Sequence, residues 1–91
     1  MDVEFHPAAL REAEKAQAWY EERSLLTGLA FLRELSAAIE RICKSPARYP
    51  VALAGTRRIL LDRFPFAVHY RFRSNTLTVI AVAHQKRWPG Y

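Results

Sequence analysis

Cleaving or gripping a phosphate takes a proton carrier and cations, and the second half of this chain holds both. The His84 imidazole can take or give a proton near neutral pH. Arg57, Arg58 and Arg87 can contact phosphate oxygens, and Tyr91 can stack on a base or donate a proton. A carboxylate base is harder to find. No Glu follows Glu40, and Asp62 reads best as a strand-end residue paired with a neighbouring Arg. No Cys/His cluster has metal-ligand spacing, and Gly28, Gly55 and Gly90 are too scattered for a phosphate-cradling loop. Neither a metal nor a cofactor is expected.

The cations are unevenly spread. Residues 47–91 carry Arg48, Arg57, Arg58, Arg63, Arg71, Arg73, Lys86 and Arg87 against Asp62 alone, a net +7, whereas residues 1–46 sum to −2. Such a half projects a positive field from one side of a small domain and concentrates anionic partners, nucleic acid or an acidic protein segment. A merely solvated face would mix the two signs.

The elements that must position these groups follow from periodicity. A chain of 91 residues, 51% of them hydrophobic, is expected to form a single domain spanning 1–91. No apolar run is long enough for a membrane span and no signal peptide precedes the first strand-like segment, so no membrane partner is expected. The lone Cys43 excludes an internal disulfide and fits a reducing cytoplasm, as a buried small hydrophobe. Val3–His6 reads as a short strand stopped by Pro7, which suits the first position of a helix. Ala9, Ala13, Ala16 and Tyr20 recur at helical spacing up to Arg23, a face small enough for close helix contact. Trp19 falls off that stripe and covers an edge or meets a partner. Ser24 is a candidate N-cap for a second helix, running to Ser45, whose Leu25, Gly28, Leu32, Leu35, Ile39 and Ile42 step by three and four.

After the loop from Pro46 to Thr56 the period becomes two. Arg57 to Asp62 reads as a strand. Phe66, Val68, Tyr70 and Phe72 then alternate with Ala67, His69, Arg71 and Arg73, one apolar core face and one basic open face. Ser74-Asn75 is a two-residue turn, and Thr76 to His84 follows, apolar on both faces from Val79 to Ala83, as a central strand would be. The order βααβββ predicts an α+β fold, a helical hairpin packed on a mainly antiparallel four-stranded sheet. Leu32, Leu35, Ile39 and Ile42 should be buried against Val68, Tyr70, Val79 and Ala81. Trp88, in the basic and aromatic tail, either folds back over the core or anchors a partner.

Four stretches of this chain are similar to the RelE/ParE superfamily of toxins from bacterial type II toxin–antitoxin operons. Val3-Glu4-Phe5-His6-Pro7-Ala8-Ala9 resembles its first strand running into a helix. Trp19-Tyr20-Glu21, Phe31-Leu32, Ala38-Ile39, Pro46 and Tyr49-Pro50 resemble its helical hairpin and exit loop. Arg57-Arg58-Ile59-Leu60-Leu61 with Phe64-Pro65-Phe66-Ala67-Val68-His69-Tyr70 resembles its central hairpin. Ala81-Val82-Ala83-His84-Gln85-Lys86-Arg87 with Pro89-Gly90-Tyr91 resembles its ending.

The resemblance implies one of two activities. One branch of the superfamily cuts mRNA on the ribosome by attack of a ribose 2′-hydroxyl on the adjacent phosphate. The other poisons DNA gyrase without bond chemistry of its own. The nuclease branch typically places a basic residue near the position of Ala67 and an Arg where His84 stands. Those departures favour the gyrase-poisoning branch, with DNA gyrase as target and the ribosome with its mRNA as the alternative. If the chain is a nuclease, His84, Arg87 and Tyr91 are its candidate catalytic residues. Otherwise His84 closes the sheet end. Arg57, Arg58, Arg87 and Trp88 are the candidate target contacts in either case. The implied first partner is an antitoxin encoded in the same operon, whose acidic, amphipathic segment should meet Arg57, Arg58, Arg71 and Arg73. A general RNA-binding module is a third reading. The familiar sheet-based RNA binders run βαββαβ, however, and Phe66, Tyr70 and Phe72 are assigned to the core here, where no base could stack on them.

Overall fold

The chain changes course wherever a side chain or a fixed φ forces it to. In the computed structural model, which describes residues 1–87, strand β1 (Asp2–Phe5) ends at His6, whose amide still bonds the Val79 carbonyl. His6 Nδ1 accepts from the Ala8 amide at 3.0 Å, and Pro7 opens helix α1 (Pro7–Arg23). Ser24 serves two helices. Its own amide bonds the Tyr20 carbonyl to end α1, and its hydroxyl accepts from the Thr27 amide to begin α2 (Leu25–Lys44). Gly28 then lets the helices close up, because a Cβ there would stand 2.9 Å from that of Glu21.

Strands β2 (Arg57–Leu60), β3 (Phe66–Arg73) and β4 (Thr76–His84) complete a sheet of order β1-β4-β3-β2. The pairs β2–β3 and β3–β4 are antiparallel, whereas β1 runs parallel to β4. The sheet is therefore mixed rather than wholly antiparallel, with βααβββ order as expected. Ser74 and Asn75 both adopt positive φ, the conformation a tight two-residue hairpin needs. The core lies between the hairpin and one sheet face. Ala9, Ala13 and Ala16 of α1 and Phe31, Leu35, Ala38 and Ile42 of α2 close over Val68, Tyr70, Leu77 and Val79. Phe31 meets Phe64 and Phe66 with ring centroids at 5.3 Å, and Tyr20 stacks beside it at 5.6 Å.

Four expectations need correction. Leu32 is 37% exposed, because the arc facing the sheet is centred on Phe31, Leu35, Ala38 and Ile42, and Leu32 lies about 100° round the helix from Phe31. Ile39 is only partly buried, on the shoulder of that arc. Phe72 is 39% exposed, since burial decays along β3 after Tyr70. The strand expected to reach Asp62 stops at Leu60, because the Glu34 carboxylate accepts from the Asp62 and Arg63 amides at 2.8 and 2.7 Å and holds them in a turn. The Asp62 carboxylate lies 4.0 Å from Arg41 of α2, both well exposed, a pair of little energetic weight.

Truncating Leu35 to Ala should cost about 2–5 kcal/mol in urea unfolding, and Leu32→Ala markedly less. Equal losses would mean that α2 is rotated from the register described.

Candidate functional site

Arg57 and Arg58 are neighbours on β2 and so point to opposite sides of the sheet. Arg57 pairs with Tyr70, on the side of the helices. Its guanidinium donates to the Tyr49 carbonyl at 2.7 Å, while the Tyr70 hydroxyl donates to the Pro46 carbonyl, so both fasten the exit loop. Arg58 pairs with His69, which in turn pairs with Ala81. The next row on that outer side is Leu60, Ala67 and Ala83, and beyond a bulge at His69/Tyr70 come Arg71 opposite Thr78 and Arg73 opposite Thr76. On the outer side Ala67, Ala81 and Ala83 are themselves buried, with Arg58 in their rows and Arg71 and Arg73 beyond the bulge. Arg71 also donates to the Ala54 carbonyl at 3.0 Å, where Ala54 and Gly55 turn the loop through positive φ.

His69 was expected on an open surface and is instead only 3% exposed. It sits mid-strand in an inner strand whose residues are buried on both sides from Phe66 to Tyr70. Burial first, and then the Arg58 guanidinium, push its imidazole below the ordinary value, so the ring is neutral at physiological pH. Burial likewise raises the Tyr20 and Tyr70 hydroxyls, which stay protonated; the Arg57 charge offsets part of the rise at Tyr70.

His84 lies on the other side of the sheet. It pairs with Phe66, their rings meeting edge to face at 5.2 Å, and its Nδ1 accepts from the Lys86 amide at 3.2 Å. His84 therefore does not share a face with Arg58, Arg71 and Arg73. Arg87 closes a short 3₁₀ turn after β4, and its side chain, with Trp88 and Tyr91, lies outside the described residues. His84 also lines a groove between α1 and β4, with Glu12, Lys15, Trp19, Tyr20 and Phe66. There the Glu12 carboxylate accepts from the Val82 amide at 2.9 Å. Trp19, 51% exposed, carries the Arg23 guanidinium 3.4 Å from its ring centroid. Sequence reasoning gave no part to Glu12 or Glu34. Only the tertiary fold shows which amides they reach.

Among the described residues no group of three or more His, Cys, Asp or Glu side chains gathers to hold a metal, and no helix is long and apolar enough to cross a membrane. Residues 3–89 match the family model described as the ParE toxin of the type II toxin–antitoxin system parDE. The chain belongs to the ParE toxin family of type II toxin–antitoxin systems, and a cognate ParD antitoxin is its implied partner. Among solved structures it is similar to a chain of the chromosomal ParDE toxin–antitoxin system from P. aeruginosa, with 18% identity and a TM-score of 0.59. That match covers 92% of this chain and 95% of the other, a likeness of fold. No curated protein matches the chain.

A His held below its ordinary value of 6.5 in the fold costs stability once the unfolded chain begins to take up that proton. The contribution is complete above the unfolded value and is lost as pH falls through the folded one. Urea unfolding should therefore show stability dropping between pH 7.5 and 5.5, with a shallower drop in His69→Gln. Parallel drops in the two proteins would contradict a neutral, buried His69.

Proposed function

We propose that this toxin arrests growth in the cytoplasm by binding and poisoning DNA gyrase rather than by cutting RNA. The observation that carries the reading is the set of buried alanines on the basic face. Where a nuclease would need an acid, a base and a cation close together, the rows at and next to Arg58 carry Ala81 and then Ala67 and Ala83, while Arg71 lies on the other side of the bulge. The nearest imidazole, His69, is buried and held neutral, and His84 lies across the sheet. Such a face suits electrostatic steering and adhesion to an anionic surface, for which general acid–base groups are not needed.

Arg58 and Arg73 are the cations proposed for target and antitoxin contact. Arg57 and Arg71 add charge to the field, but each already uses donors on a loop carbonyl. The resemblance to ribosome-dependent nucleases keeps mRNA cleavage as the competing mechanism, with His84 as its proton carrier.

Two assays separate the mechanisms. Mixed with gyrase, ATP and supercoiled plasmid, the purified toxin should accumulate cleaved DNA that detergent reveals. Mixed with programmed ribosomes, it should leave mRNA whole. His84→Gln should change the first signal only modestly. A nuclease using His84 would instead lose on the order of 10²–10⁴-fold in cleavage rate, and detecting that loss would overturn the binding mechanism.

A further inference from the structure

The outer face changes character towards the β3–β4 hairpin. Two rows cross the sheet there on that side: Asp2 beside Thr76 beside Arg73, and Glu4 beside Thr78 beside Arg71. Each of the three strands contributes a column of one kind, carboxylates on β1, hydroxyls on β4 and guanidinium groups on β3. Asp2, Glu4 and Arg73 are exposed. The one ion pair among the described residues, Arg41–Asp62, involves none of the four charges in these rows. Arg71 gives a donor to the Ala54 carbonyl, which braces it beside the hydroxyl column while its guanidinium keeps further donors.

Rows two residues apart lie about 6.8 Å from each other, close to the separation of successive phosphates along one DNA strand. Each row offers a guanidinium and a neighbouring hydroxyl, side-chain donors that phosphate oxygens commonly meet. Neither row holds an apolar side chain, whereas protein–protein contacts are centred on an apolar or aromatic patch. This chemistry suits a sugar–phosphate backbone better than a protein surface. The carboxylates then set the side. β1 lies two strands from β3, about 9.6 Å away, near the screening length of physiological salt. A phosphate over β3 is attracted with only partial opposition, and one over β1 is repelled. On the other flank, past the bulge, stands Arg58 of β2, so attraction continues in that direction.

We propose that the hairpin end of the outer face takes the phosphate backbone of duplex DNA. Arg73 with Thr76 and Arg71 with Thr78 hold neighbouring phosphates, Arg58 holds a further one, and Asp2 and Glu4 keep the duplex off the β1 edge. The inference rests on the gyrase reading and names the part of that target touched: the DNA that the enzyme holds, not its protein surface.

The test is fluorescence anisotropy of a labelled DNA duplex titrated with toxin alone across a salt series. The proteins are the wild type, Arg73→Gln, Glu4→Gln and, as a control on α1 away from this face, Lys15→Gln. All three positions are exposed, and circular dichroism confirms each fold. Arg73→Gln should weaken binding on the order of tenfold and lower the salt slope by about one. Glu4→Gln should tighten it, and Lys15→Gln should stay near the wild type. Equal weakening by Arg73→Gln and Lys15→Gln would overturn the proposal, because only the charge of the whole domain would then matter. Weaker binding by Glu4→Gln would overturn it too, since the acids would then face the partner. A wild-type toxin that ignores the duplex yet still traps cleaved DNA on gyrase would overturn this site and leave the gyrase reading standing. The expected pattern on the duplex without any trapping would overturn the gyrase reading alone.

Discussion

Close approach of α1 is the constraint on which the other contacts depend. Its inward positions are Ala9, Ala13 and Ala16, and larger side chains there would lift the helix off β4. With α1 that near, Glu12 reaches an amide of β4, and Tyr20, at the far end of the same stripe, meets Phe31, Phe64 and Phe66. Gly28 gives the same closeness between the helices, against Glu21. Size therefore increases along α1, from methyl groups near its start to aromatic rings near its end. That taper leaves an open groove on the side away from α2.

The second constraint is the exit loop. Without regular pairing of its own beyond a bridge from Val51 to Arg57, it is fastened by side chains from two strands. Arg57 holds the Tyr49 carbonyl, Tyr70 that of Pro46, and Arg71 that of Ala54. Part of the positive charge that makes the C-terminal half so lopsided is thus structural. Arg58 and Arg73, on the outer face, are not among the arginines that hold this loop.

Periodicity made most of this fold legible. The alanine stripe, the Ser24 cap, the Ser74-Asn75 turn and the apolar run of β4 from Val79 to Ala83 each follow from local chemistry, and the structure has all four. The misplaced residues are ones whose environment is decided from elsewhere in the chain. Leu32 fits the helical repeat as well as Leu35 does, and only the rotation of α2 against the sheet separates them. His69 alternates with core residues exactly as Arg71 does, yet inner-strand burial takes one and not the other. Glu12 and Glu34 bond amides 70 and about 28 residues away, contacts with no local signal at all. For the site, the sequence pattern located the cations but not the sheet face each would take. Arg57 and Arg58 are consecutive and part company for that reason alone.

The central claim is that the outer, arginine-bearing face acts by adhesion. The most direct measurement is the yield of gyrase-trapped cleaved DNA from Arg58→Glu and Arg73→Glu toxins whose unfolding midpoints match the wild type. Each reversal should reduce the yield steeply, with the wild-type signal itself weakening as salt rises. A doubly reversed toxin that traps gyrase as well as the wild type, at any salt concentration, would contradict the account.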